Sequence, residues 1–275
     1  MEVSTVLLVS RGTMSGGQTI GECLAQHEGI RYLTREHLLT VVNSYGDLAT
    51  RVTAQIEKAT GAYEQFSELR RPYQILMKRA LLEYARQGPL AYFGYSGHLL
   101  LDRVAHFIRI RLIAPMEVRI ARTLERLGCS DAEARDYIQR VDKERTHWAR
   151  LMYGLDIREP SHYDLCLNVE RLSTEGACEL LWHLMQQKDF QPNPESIAQV
   201  DNDYIATQVL AALVLDDKTS GLELGASVQD GVLRLEGPYL ADADKSVVLS
   251  IAGSVPGVRK VEYEPGYAPA FRYFR

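Results

Sequence analysis

Eight residues near the N-terminus hold the densest group of chemistry-bearing positions in the chain. Gly12-Thr13-Met14-Ser15-Gly16-Gly17-Gln18-Thr19 follow the pattern G-x-x-x-x-G-K-S/T at every place but one, where Gln18 stands at the lysine position. Glycines let a backbone curl until its N–H groups point inward at an anion. A helix starting there adds the positive end of its dipole. Gly12, Ser15, Gly16, Gly17, Gln18 and Thr19 are therefore candidate phosphate-binding residues. Thr19 is also the candidate hydroxyl ligand for magnesium. A lysine would neutralise charge on a transferred phosphoryl group and glutamine cannot, so neighbouring Arg11 becomes the candidate substitute cation. A glycine-rich turn that merely joins a strand to a helix has the same composition, and the loop alone leaves both readings open.

A second group lies in the segment Arg140-Val141-Asp142-Lys143-Glu144-Arg145. Phosphoryl transfer needs cations that absorb spreading negative charge, and Arg140, Lys143 and Arg145 on a mobile helix would deliver them. The interleaved Asp136, Asp142 and Glu144 fit a solvated, salt-bridged helix face equally well. A third group, Phe93-Gly94-Tyr95-Ser96-Gly97-His98, sits where a strand is predicted to end. Ligands of α/β sheets collect beyond the carboxyl ends of strands, while a tight strand-to-helix turn is the competing account. His98 alone earns no catalytic role.

The elements that must position these groups follow from the apolar pattern. Val3 to Val9 reads as a buried parallel strand and leads directly into the glycines. A helix from Thr19 to Ala25 puts Ile20, Cys23 and Leu24 on one face. Glu36 to Glu83 reads as mostly helical, with Pro72 as punctuation. Leu90–Phe93, Phe107–Ile113 and Tyr163–Val169 read as strands. Helices are predicted over His98–Val104, Met116–Leu127, Ser130 to about Met152 and Thr174–Met185, the third opened by the capping-box pattern Ser130-Asp131-Ala132-Glu133. Strands alternating with helices predict an α/β domain in three layers, a parallel sheet with helices on both faces.

Gln191-Pro192-Asn193-Pro194 reads as a linker. The predicted division is a domain over 1–190, a linker over 191–198, a second domain over 199–265 and an aromatic tail over 266–275 with Tyr267, Phe271, Tyr273 and Phe274. The second domain reads α-β-β-α-β, its hairpin turning on Asp230-Gly231. It is a small α+β unit.

Composition narrows the classes. The chain has 275 residues, 46% hydrophobic and 24% charged, which suits a packed globular protein rather than a disordered one. A net charge of -5 gives no global basic field, so no nucleic-acid partner is expected. No run of about eighteen apolar residues predicts a membrane span, and no basic leader precedes the first apolar run. The expected location is cytoplasmic, with reduced thiols. The four cysteines (Cys23, Cys129, Cys166 and Cys178) form no C-x-x-C pair, so zinc ligation is not expected and the thiols read as small buried hydrophobes.

Taken in order, these points resemble the cytidylate kinase-like family. The residues that carry the resemblance are Ser10-Arg11, Ser15-Gly16-Gly17, Ile20-Gly21 and Tyr32-Leu33-Thr34-Arg35-Glu36. Further along come Ala114-Pro115-Met116-Glu117 with Arg119, then Asp142-Lys143-Glu144-Arg145, then Ser161 to Asn168. The match covers roughly Val3 to Met185. It implies an ATP-dependent nucleoside monophosphate kinase that uses magnesium, with CMP or dCMP as acceptor. On that resemblance the loop from Gly12 to Thr19 holds ATP phosphates. Arg140, Lys143 and Arg145 close as a lid, and Arg35, with Gly94 and Tyr95, lies at the monophosphate. Three positions depart from the family: Gln18 and Tyr95 where it carries arginine, and Thr34 where it carries aspartate. These departures sustain a second expectation, a nucleotide-binding sensor or scaffold of weak or no turnover. The C-terminal unit resembles a BON domain, on Asp230 to Gly237 and Val255 to Val261. BON domains are linked to phospholipid contact. Here residues from Gln199 onward carry about -4, which anionic headgroups would repel, so a protein or small-ligand partner is expected instead.

Overall fold

A computed structural model describes residues 5–58, 67–94, 96–101 and 103–266. Its first strand, β1 (Val6–Arg11), is buried on both faces. Such a strand can only sit in the middle of a covered sheet. It does: β1 pairs in parallel with β3 (Leu90–Gly94) on one side and β4 (Phe107–Ile113) on the other. β2 (Arg31–Thr34) and β5 (Leu165–Asn168) form the edges, and the order is β2-β3-β1-β4-β5 throughout in parallel. Alternate side chains feed two cores. Val6 and Leu8 face the side covered by α2 (Arg35–Asn43), α3 (Asp47–Lys58) and α4 (Ser67–Ala85). Leu7 and Val9 face α1 (Gly17–Leu24) and α8 (Thr174–Met185). The parallel three-layer α/β expectation is met.

Local signals explain most boundaries. α6 (Met116–Leu127) ends on Gly128 at φ 63, a left-handed closure that glycine adopts without cost. α7 (Asp131–Tyr153) starts with the expected capping box, Ser130 and Glu133 satisfying each other's backbone amides. Pro72 lies inside α4, six residues into the helix rather than between two helices.

Several expectations need correction. At the motif Tyr32 to Glu36 the structure adds a strand, β2, that the apolar pattern does not predict. The helix expected over His98–Val104 is a single turn, α5 (Gly97–Leu100). The linker expected over 191–198 is largely helix, because α9 runs from Pro194 to Leu215 with Asn193 as its cap. Proline at the first helical position is a start signal, not a break. α9 packs on α4, where Arg86 Nε meets Asp201 Oδ1 at 2.6 Å and the Arg86 guanidinium lies over the Tyr204 ring. His106 Nδ1 and Ser196 Oγ, 2.8 Å apart, tie its first turn to β4. Cys23 and Cys178 are not reduced thiols but a disulfide joining α1 to α8, with Cα atoms 6.2 Å apart. Cys129 and Cys166 are free.

After α9 come β6 (Gly225–Gln229), β7 (Val232–Gly237), α10 (Asp242–Gly253) and β8 (Lys260–Pro265), a three-stranded sheet in the order β6-β7-β8. The α-β-β-α-β order is as expected. Asp230 and Gly231 both have positive φ, 50 and 73, the signature of a tight hairpin turn. Its Leu233, Leu235 and Val248 join the same core cluster as α4 and α9. Most of the aromatic tail lies outside the described residues. No described helix is long and apolar enough to cross a membrane.

Candidate functional site

β1 delivers Arg11 to the carboxyl edge of the sheet, and the chain then turns through the glycine loop into α1. Gly12 N–H donates to Leu112 O at 3.1 Å, anchoring the loop to β4. Ser15 folds back on Gly12 O through both its amide, 3.3 Å, and its hydroxyl, 2.8 Å. Met14 and Gly16 take the left-handed region at φ 59 and 84. Gly16 caps α1 with no side-chain acceptor. The first amides of that helix therefore open toward a cavity of about 1050 Å³ that the loop lines.

Cations converge on this loop from three elements. Arg11 lies across Gly17, where an added Cβ would come within 2.3 Å of Arg11 Cδ. From α7, Arg145 Nη1 donates to Thr13 Oγ1 at 3.1 Å. From α6, Arg119 Nε donates to the Thr13 carbonyl at 2.7 Å. Asp142 completes this knot: Oδ1 accepts from the Thr13 amide at 3.0 Å and its hydroxyl at 2.7 Å, and Oδ2 pairs with Arg119. Burial alone would raise the Asp142 carboxyl. Hydrogen bonds from Thr13 and Arg119 outweigh it, so the group stays ionised below the ordinary carboxylate range.

Arg122, also on α6, stands apart. Its Nη1 lies 3.1 Å from the point where a Gly16 Cβ would be. That nitrogen is buried and has no hydrogen-bond partner among the described residues. A buried guanidinium nitrogen left unsatisfied is costly. Beside a loop of open amides, it is placed for an anionic oxygen. Arg126 and Thr174 line the same cavity.

The structure brings together only part of the expected set. Gly16, Gly17, Ser15, Gln18, Thr19, Arg11 and Arg145 line the cavity, and Gly12 anchors the loop from below. The Gln18 amide is held by Glu22 Oε1 at 2.8 Å and makes no substitute for a lysine. Arg140 and Lys143 do not reach the loop. Arg140 pairs with Glu144 at 3.5 Å and, with Lys143, borders a separate surface depression. The cause is helix phase: five residues on an α-helix turn the side chain by roughly 140°, so Arg140 and Arg145 face different ways. Arg35 is not at the loop either. It is buried on the α4 side, where Nη2 donates to Tyr73 Oη at 2.8 Å and the guanidinium lies over the Trp148 ring. Gly94 ends β3 against the Tyr92 ring, and Tyr95 lies outside the described residues. His98 is buried against Tyr163, and burial, with Arg109 nearby, pushes it down to about 3, so it is neutral.

Arg122 and Arg126 do not stand out in the sequence, and the Asp142 contact with Thr13 is not legible there. A signal was present: 119, 122 and 126 fall on one face of a helix.

A parallel sheet in this order, with a glycine loop and converging arginines at the carboxyl edge of β1, defines an α/β fold of the P-loop type. Residues 6–171 match the cytidylate kinase-like family, and the chain belongs to that family. A cytidylate kinase of Pyrococcus horikoshii is 27% identical over 175 residues, 62% of this chain and 83% of that protein. One from Ignicoccus hospitalis is 24% identical over 183 residues, 66% of this chain and 99% of that protein. An uncharacterized protein of Eubacterium ventriosum has a similar solved structure, TM-score 0.52 at 14% identity, over 67% of this chain and all of that one.

Proposed function

We propose that the chain is an ATP-dependent nucleoside monophosphate kinase with CMP or dCMP as acceptor. The observation that carries the reading is the buried Nη1 of Arg122 beside Gly16, which has no hydrogen-bond partner among the described residues. It supplies, from α6, the cation that Gln18 cannot supply from the loop. The open amides at the start of α1 and the guanidinium groups of Arg11, Arg122 and Arg145 fit the phosphates of ATP. Thr19, at the cavity wall, fits a magnesium ion, which when bound would neutralise phosphate charge. Catalysis then consists of positioning and charge stabilisation, with no covalent enzyme intermediate. An oxygen of the acceptor monophosphate attacks the γ-phosphorus and ADP leaves. Arg145 contributes while held by Thr13, so the Thr13–Asp142–Arg119 knot fixes one cation relative to the loop.

The test is a coupled ADP-release assay with ATP, magnesium and a panel of monophosphates, run beside a nucleotide-binding titration. Turnover is expected with CMP or dCMP and is lost in Arg145→Ala. Binding without turnover for any monophosphate would replace this reading with a sensor, and absence of both would remove it.

A further inference from the structure

The Cys23–Cys178 pair has company that a structural disulfide does not need. His27 Nε2 lies 3.9 Å from Cys178 Sγ and 3.6 Å from Glu179 Oε1. The two sulfurs and an imidazole nitrogen lie within 4.8 Å of one another. The His27 ring is stacked on Trp182, with centroids 4.5 Å apart and planes 15° apart, which fixes the direction of that nitrogen. Cys23 and His27 are four residues apart on the last turn of α1 and its continuation, and Cys178 and Glu179 are adjacent on α8.

We propose that in the reduced protein Cys23, His27 and Cys178 form a binding site for a zinc-class divalent cation, with Glu179 as the fourth ligand. Two thiolates, an imidazole and a carboxylate suit a borderline-soft, tetrahedral ion. Zinc bond lengths of about 2.3 Å to sulfur and about 2.1 Å to nitrogen put neighbouring ligand atoms roughly 3.5 Å apart. The separations at His27 already approach that spacing. Sulfurs no longer bonded move apart toward the same range. Entry is open: the Glu179 side chain is 57% exposed, whereas Cys178 closes the inner side. Sequence spacing gave no hint of this site, because its halves come from helices at opposite ends of the main domain.

The disulfide and the metal site are alternative states of the same pair. Oxidation by a low-molecular-weight disulfide forms the Cys23–Cys178 bond and frees the ion. The two electrons reduce the small disulfide, which takes two protons from solution and leaves as two thiols.

The test uses the full chain, reduced with a phosphine and stripped of metal, then titrated with cobalt(II) as the probe. One cobalt per chain is expected, with thiolate-to-metal charge-transfer absorption and intense visible bands of tetrahedral coordination, all abolished by zinc. Cys23→Ser and Cys178→Ser are expected to remove the bands, His27→Gln to weaken binding at least about tenfold, and a Cys129→Ser/Cys166→Ser double variant to leave it unchanged. A second measurement needs no variant: zinc should shield Cys23 and Cys178 of the reduced, unsubstituted chain from alkylation, read by peptide mass, and leave Cys129 and Cys166 unshielded. Absent bands, bands that survive in Cys23→Ser, lack of zinc shielding, or retention of the ion after the disulfide has formed would each overturn the proposal.

Discussion

Replacing Arg122 by alanine should move activity down while leaving stability unchanged or raised. The Nη1 atom is buried beside Gly16 without a partner among the described residues. An unsatisfied buried donor costs about 1–3 kcal/mol, so truncation relieves that cost and offsets the packing lost with the side chain. The catalytic effect has the other sign. Removing one preorganised donor from developing charge costs about 10²–10³ in kcat, or roughly 3–4 kcal/mol. We expect a loss of that size in kcat/KM for ATP at saturating CMP, measured by coupled ADP release, together with a Tm no lower than that of the parent chain. Gln18→Lys added to Arg122→Ala should restore part of the rate, because an ammonium at that position reaches the same loop. Gln18→Ala alone should change little, since the amide is occupied by Glu22. A rate within about threefold of the parent, set against the 10²-fold expectation, or a rate loss matched by a fall in Tm, would refute the assignment of Arg122.

Asp142→Ala removes the acceptor for Thr13 and Arg119. Hydrogen bonds to charged groups are worth about 1.5–3 kcal/mol each, so urea denaturation should show a loss of that order, with kcat falling because Arg145 shares Thr13. The Asp142 carboxyl is held below its ordinary range, so this tie is complete above the unfolded pKa of about 4 and fails only as pH drops through the depressed folded value. Gly21→Ala places a Cβ 2.3 Å from Tyr32 Cε2, and a ring cannot yield as a flexible chain end would. A destabilisation of about 1–3 kcal/mol is expected, read as a lower urea midpoint at constant m. His98 is pushed down to about 3 from 6.5. The unfolded state binds the extra proton between those values, so stability is complete above pH 6.5 and declines as pH falls toward 3. His98→Phe should flatten that decline, and a ¹H–¹⁵N titration showing His98 protonated near pH 6 would contradict the burial argument.

What could be read from the sequence was whatever is decided locally. β1, the glycine loop and α1 are continuous in the chain, and an apolar run ending in glycines specifies them without knowledge of the rest. Asp230-Gly231 and Ser130–Glu133 are likewise self-contained devices. β2 was missed because an edge strand with one buried side chain, Leu33, presents no alternation to detect. α7 was found, but which of its cations meets the loop depends on helix phase relative to α6 and β1, and three arginines or lysines within six residues look alike until that phase is fixed.

Arg122 and the Cys23–Cys178 pair share a deeper reason for being hidden. Each depends on the strand order β2-β3-β1-β4-β5. Because β4 is the neighbour of β1, the helix leaving β4 must start beside the glycine loop, which carries Arg119 and Arg122 to Thr13 and Gly16. Because β5 lies next to β4, α8 returns along the same face as α1, and cysteines 155 residues apart come within bonding distance. Glutamine at position 18 is legible at once, being local, whereas Arg122, the cation proposed in its stead, comes from an element whose position only the sheet determines. The charge that a phosphate would meet is the sum over every strand end that opens on the cavity, and on the proposed reading α6 carries the part that Gln18 does not.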